Sequence, residues 1–387
     1  MAKTRYTPRE MIERLIGFDT TSRGSNLDLI SFVADYLAEY GIAATLTHDD
    51  DRGKANLFAT LGPEGDGGVV LSGHTDVVPV DGQAWSSDPF TVVERDGRLH
   101  GRGTCDMKSF IAIALALVPE YLERDLAVPI HFALSYDEEV GCIGVNRLIA
   151  GVRAAGLRPA VVIVGEPTGM RVVNAHKGIY AFRTTVTGHE AHSSATQIGV
   201  NAVMVAAELI HHLAGVAEAE RRRAEPASGF VPPHTTVHVG VVAGGTAANI
   251  IPRHCHFLWE YRLMPGADPD AIIDGFNARA AELEAAMQAV EPATGIATSG
   301  GSVPGLKPEA GSLAERLVTE LTGDNRPAKA SYATEAGLFQ EAGMSVVVCG
   351  PGHIEQAHKP DEFIDLDQVA QCTDVLHRLG ARLCRPL

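Results

Sequence analysis

At 387 residues the chain is long for a single domain, and two domains are expected. With 45% hydrophobic and 21% charged residues it has the composition of a globular protein. The formal charge of −16 argues against nucleic-acid phosphates or an anionic membrane surface as partners. Six scattered cysteines (Cys105, Cys142, Cys255, Cys349, Cys372 and Cys384) include no CxxC pair, and they read as reduced thiols rather than a disulfide or zinc-finger framework.

The first segment, MAKTRYTPREMIERLIGF (1–18), is charged and lacks the apolar core of a signal peptide, so a cytoplasmic protein is expected. Its TPRE (7–10) is a helix start, with Thr7 as cap, Pro8 in the first turn and Glu10 closing a capping box. NLDLISFVADYLAEYG (26–41) is helical, with Gly41 as its stop, and MKSFIAIALALVP (107–119) is a second helical pattern. The apolar run inside the latter, 110–119, is too short to cross a bilayer and ends in proline, so no membrane span is expected. Four further apolar runs end in glycine or a polar turn: GVVLSG (68–73), VPIHFALSY (128–136), AVVIVG (160–165) and SVVVCG (345–350). Their continuous rather than alternating character predicts strands buried on both faces.

Between the third and fourth runs the rhythm changes. YAFRTTVTG (180–188) alternates like a half-exposed strand, and NAVMVAAELIHHLAGVAEAE (201–220) is an amphipathic helix. RRRAEPASG (221–229) reads as a mobile loop. TTVHVGVVAGG (235–245) and HCHFLWEYRL (254–263) are strands, DPDAIIDGFNARAAELEAAMQAV (268–290) is a helix, and a short strand is expected near Gly295 to Gly300. The order βαββαβ is the ferredoxin-like arrangement. The helices SLAERLVTELTG (312–323) and DQVAQCTDVLHRLGARL (367–383) close the chain. The predicted fold is therefore α/β, a mostly parallel sheet covered by helices, formed by 1–178 and 302–387. A ferredoxin-like α+β domain, 179–301, is inserted into it.

Each buried-type strand leads into residues that can bind a cation. GVVLSG runs into His74 and Asp76, VPIHFAL into Glu138 and Glu139, AVVIVG into Glu166, and SVVVCG after a short loop into His358. In open α/β sheets ligands bind beyond the carboxyl ends of the strands. Asp106 in GRGTCDMK (101–108) opens the following helix. Taken singly, each has a plainer reading: Asp106 as a helix cap, His74 as a core histidine, Glu166 as a turn residue, and SYDEEVG (135–141) as a solvated acidic loop. GRGTCD lacks the third glycine and the lysine of a phosphate loop. Together, two histidines and several carboxylates on one rim suit divalent zinc, cobalt or manganese.

The motifs GHTDVVP (73–79), GRGTCDMK (101–108), DEEVG (137–141) and GEPT (165–168) resemble those of the M20 family of dimetal aminoacylases and carboxypeptidases. The resemblance covers nearly the whole chain. AHKG (175–178), YATEAG (332–337) and GPGHIEQAHKPDEF (350–363) are similar to those of the members that act on N2-acetyl-L-ornithine. The resemblance implies a zinc-peptidase-like catalytic domain and an inserted lid that also dimerises. It implies two divalent ions bridged by Asp106, one completed by His74 and Glu166 and the other by Glu139 and His358. Glu138 would be the general base, and Asp76 would accept the second ring N–H of His74. Asp137 has no implied role. His192 in GHEAHSS (188–194) would donate a hydrogen bond in the transition state from the partner subunit of a homodimer, and Asn249 and Arg262 would bind substrate.

Glu335 is a candidate to sense a substrate ammonium, with a structural hydrogen bond as the alternative; Asn249 has a turn role as its alternative. His176 and His189 have no assigned role. No GxSxG nucleophile motif is present, and Cys105 and Cys142 read as small fillers beside the site. The implied reaction is hydrolysis of N2-acetyl-L-ornithine to ornithine and acetate. Another N-acyl amino acid or succinyl-diaminopimelate is the alternative substrate, and a non-catalytic metal-dependent binding protein is the alternative of a different class.

Overall fold

The four continuous apolar runs become four neighbouring parallel strands in the computed structural model, which describes residues 3–387. Their spatial order is Ile130–Ser135, Val69–His74, Val161–Pro167, Ser345–Gly350. Every residue of the first three is buried, as continuous apolar character requires. Antiparallel strands flank this parallel centre, so the sheet is mixed at its edges. Ala55–Leu61 pairs antiparallel with Ile130–Ser135, and Ala44–His48 extends that edge. The outer strand ATLTH is half exposed and has no apolar run, so its sequence carries no strand signal.

Helices cover both faces of this sheet. Side chains of Pro8–Ile16, Leu27–Glu39, Lys108–Ala116, Leu313–Thr322 and Leu366–Arg382 share one buried cluster with Leu57, Val69, Leu71, Phe132, Ile163 and Val347. Strand side chains alternate between faces, so the remaining strand residues point the other way. There Ile143–Ala154 lies against the 55–61 and 130–135 strands, and Ala336–Glu341 against the 161–167 and 345–350 strands. The expected capping box forms: Thr7 accepts from the Glu10 N–H, and the Glu10 side chain accepts from the Thr7 N–H. Gly41 takes the left-handed conformation (φ 79°) that lets the chain leave the second helix.

The chain divides into two units. One comprises the residues up to 175 with 308–328 and 334–387; the other comprises 176–307 with 329–333. The division thus differs by a few residues from the boundaries expected at 178 and 302. Hydrogen bonds explain the shift: His176 N–H donates to the Leu306 carbonyl and Lys177 N–H to the Ala330 carbonyl, so 302–307 and 329–333 belong with the second unit.

The second unit has the element order βαββαβ. Strands Gly178–Thr187, Thr236–Gly244, His254–Leu263 and Gly295–Val303 form one antiparallel sheet with the second of these at an edge and the fourth at the other. Helices Ala202–Arg222 and Ala271–Gln288 bury Ala206, Leu209, Leu213 and Phe276 in a cluster with Phe257, Trp259 and Tyr261. Ala202–Arg222 is long and apolar enough to cross a membrane by length and composition, but that buried stripe assigns it to this unit. The segment expected as a mobile loop, 221–229, instead completes this helix and forms a 3-10 turn at Pro226–Ser228.

Candidate active site

The carboxyl ends of the parallel strands converge as the sequence predicts. His74 is the last residue of its strand, Glu138 and Glu139 follow the 130–135 strand by one turn, and Glu166 lies in the 161–167 strand. Asp106 and His358 arrive on loops. Asp106 stands between the two histidines: its Oδ1 is 3.0 Å from His74 Nε2 and its Oδ2 is 3.3 Å from His358 Nε2. His358 Nε2 is also 3.0 Å from Glu139 Oε2, and His74 Nε2 is 3.6 Å from Glu166 Oε1. Ligand atoms of His74, Asp106 and Glu139 lie within 4.8 Å of one another, as do those of His74, Glu138 and Glu166.

This donor set fits a cation. Glu166 Oε1 is buried without a hydrogen-bond partner, a costly state for a carboxylate unless a positive charge faces it. Burial pushes the Glu138 and Glu166 carboxyls well above their usual range and raises Glu139 too; neighbouring carboxylates add to this, and His74 opposes it. Burial works against a charged His74, yet Asp106 and Asp76 outweigh it and hold its pKa well above the ordinary value. Hydrogen bonds to Asp106 and Glu139 push His358 up to about 10. Burial opposes ionisation of Asp106, and the two flanking imidazoles overcome it, lowering its pKa. Four carboxylates around two imidazoles repel one another by about 4 kcal/mol per close pair near a protein surface, which a divalent ion would relieve.

Asp76 acts differently from expectation. The ring nitrogen of His74 it was to receive, Nδ1, is 2.9 Å from the Asp76 backbone carbonyl and 3.6 Å from its carboxylate. That carboxylate instead accepts the backbone N–H groups of Glu138 (3.1 Å) and Glu139 (3.2 Å) and the Ser22 hydroxyl (2.7 Å). One residue thereby fixes the imidazole with its main chain and the acidic turn with its side chain. Asp137, in the left-handed region at φ 55°, pairs with Lys54. The three consecutive acids therefore have three separate environments.

Glu335 is buried, its carboxyl hydrogen-bonded by Ser135 and, at 3.4 Å, by Ser72; burial raises its pKa to about 7. The structural alternative for this residue fits better than ammonium recognition, because both oxygens are already engaged. Cys142 is more than a filler, since its thiol lies 3.4 Å from Glu138 Oε1. Cys105 Sγ reaches the His353 carbonyl at 3.2 Å.

The remaining candidates lie in the second unit. His192 is exposed, with Nδ1 2.8 Å from the Ser194 hydroxyl and 3.2 Å from the Ser194 backbone nitrogen. Its neighbourhood is tied to Asn249: Ser193 N–H donates to the Asn249 carbonyl, and His192 bridges to Ile250. Arg262 is on the 254–263 strand with its guanidinium on Glu260 at 2.9 Å, so its charge is already answered within the unit. His176 is buried, with Nδ1 2.9 Å from the Lys177 carbonyl, and burial lowers its pKa to about 4. His189 faces Glu291 at 3.7 Å.

Residues that the motifs did not single out also shape the site. Ser22 and Lys54 hold Asp76 and the acidic turn from distant parts of the chain, and nothing in their local sequence marks them. Arg102 and Glu362, in contrast, lie inside two of the quoted motifs.

Residues 70–382 match the profile of peptidase family M20/M25/M40. The chain is 36% identical to acetylornithine deacetylase of Myxococcus xanthus, covering 99% of both proteins. It is 33% identical to acetylornithine deacetylase of Proteus mirabilis (strain HI4320), covering 95% of this chain and 92% of that one. Among solved structures it resembles an M20 family metallo-carboxypeptidase from Sulfolobus solfataricus, with a TM-score of 0.77, 18% identity and coverage of 97% and 99%. It also resembles a dinuclear metal-binding peptidase of the M20 family from Bacillus subtilis, with a TM-score of 0.62, 15% identity and 97% coverage of each chain.

Proposed function

The chain belongs to peptidase family M20/M25/M40 and is a metallohydrolase acting on amide bonds, and from that premise we propose that it removes the acetyl group from N2-acetyl-L-ornithine, releasing L-ornithine and acetate. The full-length likeness to proteins named acetylornithine deacetylase carries the substrate reading. The position of Asp106 between His74 and His358 supports the two-ion reading.

Two imidazoles among carboxylates suit zinc, with cobalt or manganese as alternatives. Asp106 would bridge the ions, with His74 and Glu166 on one and Glu139 and His358 on the other. When bound, such a pair polarises the amide carbonyl and acidifies a water. Glu138 then accepts a proton from the attacking water at its carboxylate and delivers it to the leaving amine. Asp76 positions the pair of glutamates through their backbone N–H groups.

His192 is assigned as hydrogen-bond donor to the developing oxyanion, contributed by the partner subunit of a homodimer. The edge strand Thr236–Gly244 supports self-association, because it exposes Val241 and Val242 where a second copy can cover them. Asn249 would contribute to substrate binding beside His192. The expected compartment is the cytoplasm.

A second reading, hydrolysis of another N-acyl amino acid or of succinyl-diaminopimelate, is favoured by the engagement of both Glu335 and Arg262. Kinetics on acetylornithine, acetylnorvaline and succinyl-diaminopimelate with zinc- and cobalt-loaded enzyme decide between them. The proposal expects the highest kcat/KM for acetylornithine. Equal values for acetylornithine and its uncharged analogue acetylnorvaline rule out recognition of the side-chain charge. Absence of turnover on the whole panel would point to a different amide substrate.

A further inference from the structure

Asp106 and His358 sit on separate loops, and a polar chain, buried at its Arg102–Glu362 end, joins them. Glu362 and Arg102 are each 1% exposed and pair at 2.6 Å. Glu362 Oε1 accepts three backbone N–H groups from the Asp106 loop: Gly103 at 3.1 Å, Cys105 at 2.8 Å and Asp106 itself at 3.0 Å. On the other side, the Arg102 guanidinium donates to Gln83 Oε1 at 2.6 Å and to the Lys359 carbonyl at 3.3 Å. Gln83 Nε2 in turn donates to the His358 backbone carbonyl at 2.9 Å. Trp85 completes the chain, donating its indole N–H to Gln83 Oε1 at 3.0 Å while its ring faces the Arg102 guanidinium.

His358 needs such a hold. It is a non-glycine residue at φ 64°, and its side chain is more than half exposed, so neither backbone preference nor packing fixes it. Asp106 shares its loop with two glycines that give the backbone freedom, Gly101 and Gly103. A carboxylate that accepts three N–H groups of one loop while neutralised by a buried arginine is a rigid anchor, because both of its oxygens have directed partners.

We propose that Glu362, Arg102 and Gln83 are positioning residues that set the relative placement of Asp106 and His358, and thereby the affinity for the ion those two residues share. The inference rests on the two-ion reading above. None of the three is among the proposed ion ligands. They act through the main chain of two ligands, as groups hydrogen-bonded to metal-binding side chains do generally, where loss typically weakens metal affinity by about 10–100-fold. His74 and Glu166 have no part in the chain, and the bridging Asp106 is the one ligand of their ion that it reaches, so that ion is affected less.

The test is zinc binding by equilibrium dialysis against a metal buffer, with melting of the metal-free protein measured alongside. The wild type must first take up two ions; if it does not, the two-ion reading fails and not this inference alone. Given two ions, Gln83→Ala and Glu362→Gln are each expected to weaken one of them at least tenfold while the other stays within about threefold of wild type. Gln83 is only partly buried, so Gln83→Ala is expected to melt near the wild type even if Glu362→Gln folds poorly. The double variant should weaken the same ion by less than the product of the two single effects, because both cut one chain. Two ions bound with wild-type affinity by Gln83→Ala overturn the proposal. So does equal weakening of both ions, which would mark the network as support for the fold in general.

Discussion

Glu138 and Glu139 are neighbours in the chain, yet the turn sends their carboxylates to different partners. Glu139 reaches His358, whereas Glu138 lies with His74, Glu166 and the Cys142 thiol. Their backbone N–H groups both end on Asp76, so a change in one carboxylate leaves the turn intact. Glu138→Gln is therefore expected to keep wild-type metal content while kcat falls by about 10²–10⁴, the usual contribution of a positioned base. Glu139→Gln is expected to lose metal, because a neutral amide is a weaker ligand for a hard cation. Metal analysis beside kcat tests this, and the opposite pattern reverses the two roles.

Glu166 gives a prediction on pH. A carboxyl whose folded pKa is raised contributes stability that is fully present below its unfolded value, about 4.3, and lost as pH rises through the folded value. Metal-free protein should therefore melt at lower temperature as pH rises above that unfolded value. Glu166→Gln should flatten that dependence. Parallel melting curves for the two proteins would remove Glu166 as a cause. Zinc needs the ionised carboxylates, so its binding should release protons in this range, detectable by calorimetry in buffers of different ionisation enthalpy.

At the scale of elements, the helix Lys108–Ala116 explains two glycines. All its residues are buried, and it packs against the Val69–His74 and Val161–Pro167 strands just behind their ligands. A Cβ on Gly73 would come within 2.8 Å of Met107 and Ile111, and one on Gly165 within 2.0 Å of the Phe110 ring. Glycine immediately before His74 and before Glu166 is thus the space that the helix fills. Gly165→Ala is expected to cost about 1–3 kcal/mol, the usual effect of overpacking. It should also weaken zinc binding by displacing Glu166. Phe110→Ala alone removes a core ring and costs about 3–5 kcal/mol. Combined, the two should cost less than their sum by about 0.5–3 kcal/mol, since the truncated ring makes room for the new methyl. Strict additivity in urea titrations would disprove the packing explanation.

For the whole molecule, the proposed trans contribution of His192 gives a test that uses no geometry. Loss of a donor to an oxyanion typically costs about 10²–10³ in rate. His192→Ala should accordingly be nearly inactive with its metals bound, and Glu138→Ala should be inactive too. Mixing the two under conditions of demonstrated subunit exchange should revive activity. In each mixed dimer one site then has an intact Glu138 from its own chain and His192 from its neighbour. No recovery would assign His192 to its own chain's site, or to none.

Several features were determined by local chemistry alone. Short continuous apolar runs bounded by turn residues read as buried strands, so GVVLSG, VPIHFAL, AVVIVG and SVVVCG predicted the parallel centre of the sheet, and the residues just past them predicted the cluster of histidines and carboxylates at its rim. The capping box at Thr7 and the βαββαβ order were equally legible, since both depend on periodicity and turn chemistry within a few residues. The edge strand Ala44–His48, half exposed and with no apolar run, was not legible, because pairing with a neighbour rather than its own pattern makes it a strand. The same holds for side-chain partners. That Asp76 holds a turn 62 residues away and that Glu362 anchors the Asp106 loop across 256 residues are contacts between distant segments. A motif records which groups are present, whereas their partners are decided only when folding brings remote backbone N–H groups and charges within hydrogen-bond reach.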